Sequence, residues 1–167
     1  MADLYARVEG GSVVEERRFE TPPDPNPKKG LDWRRVPPRP SVSAEHEDVE
    51  LRVAADGLAW AKVPKPAAPV KARLRARVKA AAAVRILAIV PEWKQRNLTA
   101  QAALLAVKGQ ANWTAEERAS FAAGRAIWDR VLAIRLASDK IEAAIEASPS
   151  GKAAHDAYVA ARWPDDA

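Results

Sequence analysis

The residues that could carry chemistry in this chain are its carboxylates, its histidines and one basic stretch. Three acidic pairs occur at a predicted strand end, a predicted helix start and the tail, namely Glu15–Glu16, Glu116–Glu117 and Asp165–Asp166. General acid–base catalysis needs an apolar surrounding that raises one carboxyl pKa, and none of these contexts suggests one. The 167 residues include no Cys, and the two His, His46 and His155, lie far apart in sequence. We therefore predict a protein that is not an enzyme and holds no metal or cofactor.

A basic stretch is the second feature with chemical consequences. From Ala61 to Ala111 the chain has eleven Lys and Arg residues and one acidic residue, Glu92. Six of these bases form a predicted basic partner-binding face: Lys71, Arg73, Arg75, Arg77, Lys79 and Arg85. Such a face can bind nucleic acid through phosphates, although no aromatic residue is interleaved for base stacking. We favour pairing with acidic surfaces, either on a neighbouring protein or on the long helix at Asp129, Asp139, Glu142 and Glu146.

Aromatic residues suggest where the protein contacts others. The six Trp residues are scattered, with one in or beside nearly every predicted element. Trp anchors cores and interfaces more often than it gathers in a sugar-binding cleft. We therefore predict that Trp33 and Trp60 are the docking anchors of the N-terminal part.

That N-terminal part, residues 1–63, is predicted to be a β-rich docking module. Gly-Gly at 10–11 and Asp-Gly at 56–57 each separate two β-prone runs, which predicts two hairpins. Between them an extended Pro-rich arm, residues 21–47, is expected because its prolines lack amide donors, with one short strand at 31–36. A sheet this thin gains stability by adding its edge to a neighbour.

The remainder is predicted to be a Pro linker, residues 64–69, and a helical region, residues 70–167. Helices are expected at about 70–90, 91–108, 114–147 and 150–162. Apolar residues expected to pack the second helix on its neighbours are Trp93, Leu98, Leu104, Leu105 and Val107. The predicted fold class is α+β, with an antiparallel β-hairpin module and arm followed by an all-α region that contains one long heptad-bearing helix.

The longest predicted helix carries the strongest periodicity in the chain. Its seam residues alternate by three and four positions: Ile127, Val131, Ile134, Ser138, Ile141 and Ile145. This is the heptad pattern of a coiled coil, and it predicts a homo-oligomer, with a trimer favoured. Trp128, Leu132 and Leu136 lie off the seam and widen the apolar surface. The most apolar stretch, Ala80 to Val90, is too short to span a bilayer.

Two segments carry a resemblance to a known group of proteins. The first contains Pro91, Lys94, Gln95, Arg96 and Asn97, followed by Trp128, Ile134, Arg135, Ser138, Asp139, Ile141 and Glu142. The second is the opening pattern YxRVExGxVVE, which begins at Tyr5. Together they resemble small accessory proteins encoded near tail and tail-fibre genes of bacteriophages. The resemblance implies a virion tail protein that is made in the host cytoplasm, and it assigns no site residue.

The combined expectation is a structural adaptor of a phage tail or tail fibre. It would dock to other tail or fibre proteins through its β module and associate through its helices. Two alternatives remain open: a tail-fibre assembly chaperone absent from the mature virion, and a nucleic-acid-binding protein that uses the basic helix 71–85.

Overall fold

The chain folds into a β-rich unit followed by a helical unit. The computed structural model describes residues 2–23 and 32–164, and the chain divides into two compact units, Met1–Pro66 and Ala67–Ala167. The strands are β1 (Asp3–Glu9), β2 (Ser12–Phe19), β3 (Asp32–Arg35), β4 (Glu47–Ala54) and β5 (Gly57–Pro64). The helices are α1 (Ala67–Ile89), α2 (Glu92–Lys108), α3 (Ala115–Ala147) and α4 (Gly151–Ala160), with a 3₁₀ turn at Gln110–Asn112. The predicted α+β class is confirmed.

The first sheet has the strand order β2-β1-β3, and both pairings are antiparallel. Gly10 and Gly11 have φ values of 58° and 79°, which only glycine adopts without cost, so the tight turn forms at the predicted dipeptide. Phe19 packs edge-on against two rings, with centroid distances of 5.9 Å to Tyr5 and 4.9 Å to Trp33. These contacts form the apolar side of the sheet.

The predicted extended arm, residues 21–47, is partly sheet. β3 lies within it and pairs with β1, and the Val36 amide donates to the Leu4 carbonyl at 2.9 Å. The Trp33 ring adds a contact from β3 to Phe19 of β2. Residues 24–31 of the arm, including the first residue of the predicted short strand, lie outside the described residues.

The second hairpin, β4–β5, forms a two-stranded sheet in which Ala54 pairs with Gly57. It is connected to the segment after β3 by the Trp60 indole, whose Nε1 donates to the Pro37 carbonyl at 2.8 Å. The Lys65 amide also donates to the His46 carbonyl at 2.9 Å. The β unit therefore joins its two sheets partly through polar contacts with a non-strand segment.

The predicted Pro linker, residues 64–69, is shorter than expected. α1 already begins at Ala67, and Pro69 is its third residue. The first four amides of a helix have no intrahelical acceptor, so the missing N–H of Pro69 costs nothing there.

Local signals also define the other helix ends. α2 follows Pro91 and ends at Gly109, whose φ is 77°. α3 begins with a capping box in which Thr114 and Glu117 bond each other's backbone amides. The Ser150 hydroxyl accepts from the Ala153 amide and caps α4.

The seam predicted to join copies of the chain instead forms the core of one chain. α1 runs antiparallel to α3, and both pack against α4. The cluster that results contains Val70, Leu74, Val78, Ile141, Ile145 and Ala154. Val131, Ile134 and Ser138 are also buried, and Ile127 is half-buried. A trimer on this seam is wrong, because α1 and α4 already occupy the face that other copies would need.

The α2 end of the helical unit is more open. Here α2 packs against the N-terminal half of α3, and no other element among the described residues makes extensive contact with α2 except the adjoining 3₁₀ turn. None of the described helices has the length and hydrophobicity needed to cross a lipid bilayer.

Candidate functional site

α2 and the N-terminal half of α3 enclose an apolar groove of about 390 Å³. We call it the α2–α3 groove. Its walls are Leu98, Ala102 and Leu105 from α2, with Phe121, Gly124 and Trp128 from α3. Its polar rim consists of Gln101, Ser120, Arg125 and Asp129. The lining is therefore aliphatic and aromatic with a few polar groups, which is the usual composition of a binding pocket.

The groove exists because the two helices approach closely at one point and are held by polar contacts along one side. Gly124 lies under Leu98, where an added Cβ would be 3.3 Å from the leucine Cδ2. Gln101 Nε2 donates to Ser120 Oγ at 2.9 Å. These contacts fix the antiparallel pairing of α2 and α3.

One end of the groove is closed by aromatic residues. The Trp113 indole Nε1 donates to the Leu105 carbonyl at 2.8 Å. Its ring lies 4.8 Å from the ring of Phe121. The turn between α2 and α3 is thereby tied to both helices.

The charged residues around the groove fall into two groups. At the closed end, Lys108 donates to both carboxylate oxygens of Glu117 at 2.7 Å. This contact, together with hydrogen bonds from Thr114, holds the pKa of Glu117 below its usual range. On the rim, the side chains of Arg125 and Asp129 form no hydrogen bond or ion pair with other described residues. The rim pair is therefore available for a ligand, whereas Lys108 and Glu117 are already matched.

Apolar side chains continue beyond the groove. Leu98 and Leu105 pack on α3 as the sequence predicts, whereas Trp93, Leu104 and Val107 are 62%, 73% and 90% exposed. That part of the prediction for α2 is wrong, because these three side chains point away from α3. On α3, Leu132 and Leu136 are also about half exposed.

The groove was not foreseen as a site, although the sequence contains a signal for it. Phe121, Trp128 and Leu132 are spaced by seven and four residues, so they lie on one side of a helix. This second apolar stripe runs beside the buried seam, and a helix with two apolar stripes needs two sets of neighbours. The missing information was which helix packs on which half of α3.

The predicted basic face is largely engaged within the chain. Lys71 Nζ donates to the Glu146 carbonyl at 2.7 Å, and an Arg75 guanidinium nitrogen lies 2.9 Å from the Glu146 carboxylate. Lys79 lies 3.6 Å from Glu142. The guanidinium of Arg85 stacks over Trp163 at 4.6 Å, and Arg73 and Arg77 also have contacts. The favoured pairing with acids of the long helix thus occurs in the same chain, at two of the four predicted positions, so the face does not await an outside partner.

The predicted docking anchors also contact their own unit. Trp33 packs on Phe19, and Trp60 is bonded to the Pro37 carbonyl while Arg39 lies 5.8 Å from its ring centroid. Both indoles are half-buried. They anchor the β unit internally, and their assignment as docking anchors stays a prediction.

A wider polar cleft in the β unit is a weaker candidate. It measures about 1020 Å³ and is lined by several arginines together with Trp60. The arginines Arg34, Arg35 and Arg39 pair with Asp32, Asp3 and Asp48 at 2.8, 3.0 and 3.4 Å. Hydrogen bonds from Arg34 lower the pKa of Asp32. These three guanidinium groups already have carboxylate partners, whereas Arg18, which also lines the cleft, donates to the Ala2 carbonyl at 3.4 Å. The cleft therefore offers an anion one arginine that lacks a carboxylate partner among the described residues, beside the carboxylates of Asp3, Glu16 and Asp56.

The acidic pairs considered for catalysis do not converge. Glu15 pairs with Arg7 at 3.3 Å and Glu117 with Lys108, while Asp165 and Asp166 lie outside the described residues. Among residues 2–23 and 32–164, no three His, Asp or Glu side chains gather where they could hold a metal ion.

Comparison with known proteins adds no assignment. No protein-family model matches the chain, and no curated protein matches it.

Proposed function

We propose that this protein is a non-enzymatic structural adaptor of a bacteriophage tail or tail fibre. It fastens one virion component to another by docking its β module on a neighbouring protein and by associating through its helices. The phage assignment rests on the resemblance of the segments that contain Tyr5 and Pro91–Asn97 to tail accessory proteins.

The observation that carries the adaptor role is the open α2–α3 groove. Monomeric proteins rarely expose contiguous apolar patches larger than a few hundred Å², and larger patches mark interaction sites. Here the groove walls are followed by Leu132 and Leu136 on α3, and by Leu104 on the outer side of α2. Because the seam residues are buried in the chain's own core, association through the helices uses this open end.

The partners proposed are other tail or tail-fibre proteins, and the location proposed is the virion tail. Quantitative mass spectrometry of purified virions tests both statements. We expect the chain at a fixed copy number relative to the major tail proteins. Absence from virions whose fibres are complete would overturn the adaptor role and favour the alternative role of an assembly chaperone.

A further inference from the structure

We propose that the α2–α3 groove binds an amphipathic helix of another protein, whose apolar side enters the groove and whose flank is acidic. This inference rests on the proposed adaptor function and names the chemistry of the partner. It follows from how the chain packs its other helices, from the lining of the groove and from the charges beside it.

Elsewhere in the chain, a third helix covers a packed pair of helices. At the other end of α3, α4 lies against both α1 and α3 and buries Ala154 completely. Gly151 comes so close to α1 that an added Cβ would be 3.2 Å from Val70 Cγ2. A helix buries its apolar stripe against a neighbouring element. α2 and α3 leave an apolar groove between them that no other described helix lines, and a helix of another protein supplies the cover that α4 gives to α1 and α3.

The groove suits side chains of a helix. Its volume of about 390 Å³ is near the lower end of the range of roughly 300–1,000 Å³ for ligand pockets. Beyond it, Leu132 and Leu136 follow Trp128 at intervals of four residues on the same helix. A helix that lies in a groove contributes anchors at i, i+3 or i+4, and i+7, so one anchor can fill the groove while the next ones contact these leucines.

The charges select an acidic helix. Arg125 stands on the α3 rim, and Lys94 precedes the groove residue Leu98 by four positions on α2. The side chains of both bases lack a hydrogen bond or ion pair with another described residue. Carboxylates on the flank of the partner would match them, and such complementarity sets specificity and orientation. Asp129 favours one basic residue on the partner and thereby fixes its direction.

The same charges argue against a second copy as the occupant. In a symmetric dimer the same patch faces itself, so two patches that each carry two bases, Lys94 and Arg125, against one acid, Asp129, would both be net positive. Like charges across an interface weaken association.

Two synthetic helical peptides test the proposal. They share one heptad stripe of Leu and Phe and differ only in their flanking positions, which are Glu in one and Lys in the other. Fluorescence anisotropy of the labelled peptides is followed while the full chain is added. We expect saturable binding of the Glu peptide at least tenfold tighter than that of the Lys peptide, with a difference that shrinks at high salt.

Matched variants locate the binding. Ala102→Trp fills the groove, whereas Ala103→Trp adds the same side chain at an exposed position of the same helix. Arg125→Glu reverses a rim charge, and Arg130→Glu makes the same change at an exposed α3 position that is not part of the groove lining. We expect losses of at least tenfold for Ala102→Trp and about threefold to tenfold for Arg125→Glu. Each control should stay within about twofold, and circular dichroism verifies that all four variants are folded.

Three results would overturn the inference. They are equal binding of both peptides, unchanged binding by Ala102→Trp together with Arg125→Glu, and a dimer of the free chain that Ala102→Trp alone abolishes. The last would show that a second copy occupies the groove. Mass spectrometry of purified virions is independent of all three results. A chain that is present in virions but binds no acidic helix refutes this inference only. A chain that binds the helix but is absent from virions refutes the adaptor role only.

Discussion

Replacing Ile145 by Ala tests whether the heptad of α3 is a core or an interface. Ile145 is fully buried beside Leu74 in the cluster formed by α1, α3 and α4. The change removes three carbon groups worth about 0.8 kcal/mol each, or about 2.4 kcal/mol of transfer free energy. The residual cavity raises the expected loss to roughly 2–5 kcal/mol. Leu136→Ala, on the same helix at 51% exposure, is the matched control.

The control variant, Leu136→Ala, should lower the free energy of unfolding much less than Ile145→Ala. About half of the Leu136 side chain remains in water, so the transfer term falls to about 1.2 kcal/mol, and no closed cavity forms. The higher helix propensity of Ala returns about 0.2 kcal/mol. We therefore expect the free energy of unfolding to fall by about 1 kcal/mol.

Urea denaturation followed by far-UV circular dichroism measures both losses. Repeating it over a tenfold range of protein concentration separates a core from an interface, because the unfolding midpoint of an oligomer rises with concentration. We expect a midpoint that is independent of concentration. The reasoning is refuted if Ile145→Ala costs no more than Leu136→Ala, or if the wild-type midpoint rises with concentration and Ile145→Ala removes that rise.

Three further predictions concern single contacts. Gly151→Ala should lower the free energy of unfolding by up to about 2 kcal/mol. The new Cβ would lie 3.2 Å from Val70 Cγ2, and overpacking costs about 1–3 kcal/mol, of which the higher helix propensity of Ala returns up to about 1 kcal/mol. Val70→Ala in the same chain should make the loss smaller than the sum of the two single changes; additive losses in urea denaturation would contradict this. The pKa of Glu117 is lowered mainly by Lys108, so its contribution to stability is complete at neutral pH and is lost as the pH falls below the ordinary Glu value of 4.5. Glu117→Gln should therefore flatten the fall of the melting temperature in acid, and an unchanged acid limb would contradict this. Trp60→Phe should cost the β unit about 1 kcal/mol through loss of the 2.8 Å bond to a backbone carbonyl after β3, measured as faster limited proteolysis of that unit; an unchanged rate would contradict it.

Local signals allowed the order and ends of the elements to be predicted. The break at Pro91, the cap at Thr114 and the stop at Gly109 act on backbone geometry within a few residues, so they hold in any tertiary context. The sequence left open whether Pro69 belongs to the linker or to the start of the helix, because proline in the first turn and proline in a linker have the same local pattern.

Tertiary pairing was harder to predict than the elements. A heptad stripe shows that a helix face is buried, but a neighbouring helix of the same chain and a copy of the chain satisfy it equally well. For the same reason the sequence could not show whether Lys71 and Arg75 pair with the long helix of their own chain or with another protein; in the fold both contact Glu146. The groove between α2 and α3 depends on where two helices meet, and the sequence around Gly124 does not show that α2 approaches α3 there.

Because α3 is one uninterrupted helix, it fixes the distance and the angle between the structures at its two ends. It is one helix of 33 residues, about 50 Å long, with the closed bundle at one end and the groove at the other. Each residue of a helix turns it by about 100° and advances it by 1.5 Å. One residue inserted between Leu132 and Ser138 would therefore rotate the groove by about 100° relative to the bundle. Seven inserted residues would nearly restore its orientation and move the groove about 10 Å outward. Length and phase are thus set together by residue count.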